Sequence, residues 1–141
     1  MVQHASKLVW ARMRDQPISV KHAVEVARAV RGKKLQRAIR LLEDVIALRQ
    51  PIAYRRYVQE SAAHKPGIGP GRYPVKTAAA FLSLLKLAEA NARHAGFDTE
   101  KLIIVHCKAD KASRPFKPGR HTRRVFKRAH IEVAVSPGER A

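Results

Sequence analysis

From residue 18 to 49 apolar positions recur every three or four residues, the period of a helix face. Ala23, Val26, Ala27 and Val30 mark a first helix, with Ser19 as its N-cap. Arg31-Gly32 ends it, because glycine tolerates the left-handed turn that closes a helix. Leu35, Ala38, Ile39, Leu42, Val45 and Ile46 mark a second helix that starts near Lys34 and is stopped by Pro51. Lys34, Arg37, Arg40 and Glu43 cover its other face. A longer helix spans about 75–95, with Ala78, Phe81, Leu82, Leu85, Ala88 and Ala92 as its stripe and Gly96 at its end.

Two later stretches read as strands. Residues 101–109 centre on Leu102, Ile103, Ile104 and Val105, and the dense run 102–107 suits a buried strand. Residues 122–135 carry Val125, Ile131, Val133 and Val135, with clear alternation from Ala129 onward. Pro115, Pro118 and Gly119 lie between them, so the pair forms an antiparallel hairpin. Residues 1–17 read as an extended arm or edge strand, and 136–141 as a short frayed tail. Residues 51–74 hold Pro66, Pro70, Pro74, Gly67, Gly69 and Gly71. This reads as a loop whose Gly/Pro end sustains neither a helix nor a central strand.

The chain has 141 residues and weighs 15.8 kDa, the size of one domain, 1–141. A hydrophobic share of 45% argues against general disorder. The single cysteine, Cys107, excludes an internal disulfide and a cysteine-based zinc site. No apolar run approaches the length of a membrane span. The start of the chain loosely resembles a mitochondrial transit peptide through Lys7, Arg12 and Arg14, but it lacks the serine-rich character. No apolar segment follows those charges, so a secretory signal is excluded.

Charge changes the picture most. Lys plus Arg number 29 against 11 Asp plus Glu, a formal net charge of +18, which points to a polyanionic partner. Nine of the cations are Lys108, Lys111, Arg114, Lys117, Arg120, Arg123, Arg124, Lys127 and Arg128, opposed within 108–128 only by Asp110. A solvated face normally mixes in acids, and this run does not. It also contains Pro115, Phe116, Pro118 and Phe126, which suit packing against bases or sugars. Cations on both faces of a hairpin fit an arm inserted into folded RNA, where Lys and Arg meet phosphate and Arg also stacks. With so few apolar residues the arm has no core of its own, and RNA is expected to order it. Tyr54-Arg55-Arg56-Tyr57 repeats the basic-aromatic chemistry in the loop. Two core tyrosines with exposed arginines remain the other reading of that cluster.

Catalytic signals are weak. None of the seven histidines forms an H-x-x-x-H pair or sits at ligand spacing from an acid. His106 and Cys107 are neighbours on a strand and point to opposite faces, so they do not form a nucleophile–base pair. The Gly67, Gly69, Gly71 run neither follows a strand nor carries the ending of a phosphate loop. His130 fits a core histidine or an RNA contact equally well. The expectation is a non-enzyme without cofactor or metal.

Particular motifs carry a resemblance. The stretch from Ser19 to Ala23, continuing through Val30-Arg31-Gly32-Lys33, resembles the first helix of the universal large-subunit ribosomal protein family twenty-two, number seventeen in eukaryotic cytoplasmic ribosomes. Tyr54-Arg55-Arg56-Tyr57 and the run from Gly71 to Lys76 resemble the basic loop of its archaeal and eukaryotic branch. Residues 87–92 resemble its long helix, and Gly119-Arg120 followed by a basic stretch and His130-Ile131-Glu132-Val133 has its C-terminal order and spacing. The similarity covers about 19–135. It implies an α+β fold: three helices on a small antiparallel three-stranded sheet, with an extended basic hairpin, about 108–128. It implies a structural constituent of the cytoplasmic large ribosomal subunit that binds ribosomal RNA and supports translation. The implied partners are that RNA, neighbouring large-subunit proteins and the nascent polypeptide of the exit tunnel, with no membrane.

The residues expected to meet RNA are Arg55, Arg56, Arg72 and Lys76 in the loop region and the nine arm cations named above. The resemblance places the tunnel-facing tip at Arg114, Pro115, Phe116, Lys117 and Pro118, within 113–120. There the chain departs from eukaryotic relatives: it is a few residues shorter and lacks their run of arginines. The alternative class is a free regulatory module that binds RNA or DNA outside the ribosome.

Overall fold

The computed structural model describes residues 8–58, 63–121 and 123–138. The elements run β1 (Val9–Gln16), α1 (Val20–Val30), α2 (Leu35–Ile46), β2 (Ile52–Ala53), β3 (Ala63–Lys65), β4 (Gly69–Arg72), α3 (Val75–His94), β5 (Leu102–Lys111) and β6 (Ala129–Pro137). Three helices lie on an antiparallel three-stranded sheet of order β1-β6-β5, an α+β fold. The N-terminal segment is therefore an edge strand, paired from Val9 with Val135 to Gln16 with Ala129. Residues 1–7 and 139–141, which hold the first half of the expected arm and the end of the expected tail, lie outside the described residues. Ser136 and Pro137 continue β6 and do not fray.

Alternation on the strands sorts the sheet into two faces. Ile131, Val133 and Val135 of β6, Leu102, Ile104 and Cys107 of β5, and Ala11 of β1 join the core beneath the helices. The helix periods hold: α2 buries Leu35, Ala38, Ile39, Leu42 and Val45. On α3 the fully buried leucines are Leu84 and Leu85, and Leu82 is only half-buried. This helix packs against α2 as well as β1 and β6 through one stripe, in which Leu84, three residues after Phe81 and four before Ala88, takes the place expected for Leu82.

Helix ends differ in how well the sequence shows them. Gly32 adopts φ 77 after α1, as expected, and its N–H donates to Ile104 O, joining the helix end to β5. Ser19 occupies the N-cap position with extended backbone, but its hydroxyl makes no capping bond. α2 stops at Ile46, before Pro51 is reached, with Leu48 in the left-handed conformation at φ 58.

Three strand expectations are corrected. The Gly/Pro segment of the loop does form a central strand: β4 lies between β2 and β3 in a second small sheet. Pro70 lacks an N–H, but its carbonyl accepts from Tyr54 N at 3.0 Å. Gly71 suits the close approach, because a Cβ there would lie 2.8 Å from Ile52 O. The run 102–107 is not buried throughout. A register shift between Ile104 and His106 leaves Val105 about half exposed (52%) on an edge strand. Finally, β6 begins at Ala129 rather than 122. Pro115 and Pro118 cannot donate from the opposite limb, and Arg123, Arg124, Lys127 and Arg128 repel one another, so regular pairing stops at Lys111 with Ala129.

One buried acid fixes the loop to the body. Glu25 is 1% exposed, and its carboxylate accepts from the backbone N–H groups of Arg55 (3.3 Å), Arg56 (2.7 Å) and Tyr57 (2.9 Å). A buried charge is tolerated only when satisfied in this manner. Tyr54 is buried and Tyr57 packs against the core, so the tyrosines are core residues and Arg55 and Arg56 are exposed.

Two outcomes follow for stability and reactivity. Glu25→Ala is expected to destabilise the fold by about 2–4 kcal/mol, because hydrogen bonds to a charge are lost together. Urea denaturation measures that loss, and amide exchange at Arg56 and Tyr57 should accelerate. Burial pushes the Cys107 thiol up to about 12, against the pull of Arg31. At pH 8 Cys107 should therefore resist iodoacetamide in the native protein and react readily in denaturant, as mass spectrometry would read.

Candidate nucleic-acid interface

The fold brings the loop and the arm to one cleft. Arg56 and Arg72 come from the loop region, Lys76 from the first turn of α3, and Lys117 and Lys127 from the arm. The start of α1 adds Lys21 and His22, which the sequence reading did not single out. Their signal was positional: both lie one turn before Glu25 at the start of α1.

Aromatic rings organise the cations. The Arg72 guanidinium lies 5.9 Å from the Tyr54 ring centre. Lys21 Nζ and the Arg56 guanidinium lie 5.8 and 5.5 Å from that of Tyr57. Lys117 Nζ is 5.2 Å from the Phe126 ring centre. Each pairing sets a long cationic side chain over an aromatic ring. His22 Nδ1 and the Tyr54 hydroxyl share a hydrogen bond. Burial, Arg72 and Lys127 all lower the His22 pKa, so the imidazole is mainly neutral near pH 7. Burial pushes the Tyr54 phenol up to about 12; Arg72 opposes the shift and Glu25 adds to it.

Other expected contacts lie elsewhere. Arg55 lines a separate basic recess with Arg28, Arg31 and Lys33, none of which the sequence reading had singled out as a contact. Lys108 and Arg128 face acids at the root of the arm. Lys108 Nζ is 3.1 Å from Asp110 and 3.2 Å from Glu132, and Arg128 is 3.0 Å from Asp15. Hydrogen bonds to Asp110 and Glu132 raise the Lys108 pKa. Burial alone would raise the Glu132 carboxyl, but bonds from Lys108, Arg12 and His106 outweigh it and lower the pKa. His130 is half-buried, and its Nδ1 accepts from Asp15 N at 3.1 Å, so it is not a core residue.

Lys111, Arg114, Arg120, Arg123 and Arg124 are exposed, as are Pro115, Phe116 and Pro118. Phe116 bridges to Val125, Lys117 N donates to Arg124 O, and Phe126 N donates to Pro115 O. The chain therefore reverses between Lys117 and Arg124, and Arg114 to Lys117 lie on the outgoing limb. Among the described residues no group of three or more His, Cys, Asp or Glu could hold a metal ion, and no helix is long and apolar enough to cross a membrane.

Comparison with known proteins places this geometry. The family described as ribosomal protein L22p/L17e matches residues 11–136. The large ribosomal subunit protein uL22 of Ignicoccus hospitalis is 44% identical, covering 97% of this chain and 92% of its own length. Those of Methanocaldococcus jannaschii and Thermoplasma volcanium are each 42% identical over 92% of this chain, covering 87% and 90% of their own lengths. These are ribosomal proteins of archaea, in line with the archaeal and eukaryotic character of the loop. With the match spanning β1 to β6, the chain belongs to the L22p/L17e family of large-subunit ribosomal proteins.

Proposed function

We propose that this chain is a structural constituent of the large ribosomal subunit in the cytoplasm, where it binds ribosomal RNA as one domain, 1–141. The observation that carries the reading is the charge of the arm. Between 112 and 128 it holds seven Lys or Arg and no acid, and most of its residues are exposed. Cations placed so close together repel one another in water, and RNA phosphate removes that repulsion. The body supplies the fixed end: Lys108 and Arg128 anchor the arm to Glu132 and Asp15, and the outer cations are left to contact phosphate. Arg55, Arg56, Arg72 and Lys76 form the second contact region.

Beyond the root, the arm reaches into the RNA. The outer end of the arm, at the reversal between Lys117 and Arg124, faces the nascent polypeptide in the exit tunnel, so that of the expected tip residues Arg114, Pro115, Phe116, Lys117 and Pro118 only Pro118 lies on the turn itself. Neighbouring large-subunit proteins meet the rest of the body. The role is to hold RNA segments together and not to catalyse a reaction.

Sedimentation of a cell lysate on a sucrose gradient tests this. The chain should migrate with the large subunit before and after a high-salt wash. Migration in light fractions would overturn the reading in favour of a free nucleic-acid binder. For the isolated protein, replacing Arg114, Arg120, Arg123 and Arg124 together by Gln should make the log–log slope of RNA affinity against salt shallower by about 3, since each phosphate contact contributes about 0.7–0.9. Fluorescence anisotropy from 50 to 300 mM KCl would measure it.

A further inference from the structure

The cleft between body and arm has two continuous halves of different chemistry. One, of about 470 Å³, is lined by Lys21, Arg56, Arg72 and Lys127 together with Tyr54 and Tyr57. The other, of about 600 Å³, is lined by Pro17, Ile18, Pro74, Val75, Val125 and Phe126, and also by Lys76 and Lys117. The halves share Ser19, His22 and Lys127, and no Asp or Glu is among the described residues lining either. Both volumes lie in the range of small-molecule sites.

Phosphate alone explains only the cationic half. A run of backbone phosphates needs cations on an open surface and gains nothing from a recess walled by proline, isoleucine and phenylalanine. A flat apolar group attached to a phosphate satisfies both halves, and a nucleobase is such a group. A paired base is stacked inside its helix and cannot enter a recess, so the base must be unpaired. Phe126 is 43% exposed although it borders the apolar half, which leaves ring surface for a base to cover.

We infer that this cleft captures one unpaired RNA nucleotide, its base against Phe126 and Pro74 and its phosphate among Arg72, Lys127 and Arg56. The inference rests on the proposed RNA-binding function and adds a preference for a bulged or flipped nucleotide over continuous duplex. His22 supports the arrangement. Its mainly neutral ring adds no charge to a cluster of cations, and it holds the Tyr54 hydroxyl at the junction of the two halves. The arm supplies Phe126 and Lys127 and the body supplies Pro74 and Arg72, so capture would also fix the arm against the body.

The test uses the full chain and two labelled RNA stems of equal length, one with a single-nucleotide bulge and one fully paired, compared by fluorescence anisotropy at 150 mM KCl. The bulged stem should bind about five- to tenfold more tightly. Phe126→Ala should abolish that preference, read as the ratio of the two stems' affinities for the same variant, with circular dichroism verifying the fold. A 5-iodouridine at the bulge should photocrosslink to Phe126 or Tyr54, as peptide mass spectrometry would show. Equal affinity for the two stems, or a preference that survives Phe126→Ala, would overturn the nucleotide pocket and leave RNA binding standing. Absence of salt-dependent binding to either stem would overturn the RNA-binding reading itself and the pocket with it. A polyglutamate peptide that displaces the bulged stem as efficiently as unlabelled RNA would also sink the pocket, in favour of an acidic protein partner.

Discussion

The buried carboxylate of Glu25 is the constraint on which the cleft depends. A single acid on α1 receives three successive N–H groups from the segment that follows β2. Those groups would otherwise lie at the edge of the core without partners, and the carboxylate would be a buried charge without compensation. Each half of the arrangement makes the other tolerable. Its consequence is directional: once residues 55–57 are bound to α1, Tyr54 sits inside the core, its hydroxyl reaches His22, and its ring lies beside Arg72. Arg55 and Arg56 then diverge, one to each side of the attachment, into two separate basic recesses.

Glu132 does comparable work at the arm. It projects from the central strand to the face away from the helices and is nearly buried there by Arg12, His106 and Lys108. Asp15 holds Arg128 on the same side. The few acids thus neutralise cations where strands must lie side by side, at the root of the arm. None is placed farther out. Like charge is relieved where the sheet has to form and left unrelieved beyond it.

Periodicity made the main body legible in the sequence. A helix that buries one face, such as α2, shows it directly, and the alternation from Ala129 onward located β6. Most of the misses originate in contacts between distant segments. Leu84 is the exception: it follows Phe81 by three residues and precedes Ala88 by four, so it lies on the same stripe, and Leu82 does not. β4 forms from a Gly/Pro segment because its partners need only a carbonyl from Pro70 and close approach at Gly71. The start of β6 differs from the expected one because Val125 and Phe126 have strand character in sequence, whereas Pro115 and Pro118 on the opposite limb have no N–H and only isolated bonds such as Lys117 N to Arg124 O form there. At the candidate site, cation density raises the expectation that the arm and loop residues meet RNA, but it does not show that Lys127 and Arg72 border one cleft or that Lys108 and Arg128 face acids.

The same balance of charge explains why the body and arm differ in character. Burial of leucine, isoleucine and valine between helices and sheet is self-sufficient and needs no partner. Among the described residues the arm beyond Lys111 has, outside the Arg128 contacts at its root, one isolated bridge, a few backbone bonds and one cation over Phe126 to set against mutual repulsion among its other six cations. Those terms are individually small, whereas repulsion extends over about 8–10 Å at physiological salt and so couples every neighbouring pair. The cleft adds to the imbalance by placing Lys117 and Lys127 beside Lys76 and Arg72. An anion held there would convert the least favourable part of the charge distribution into an attractive junction between arm and body. Under the proposed function the arm's conformation is thus set jointly by this chain and its RNA, while the fold that presents it is set by the chain alone.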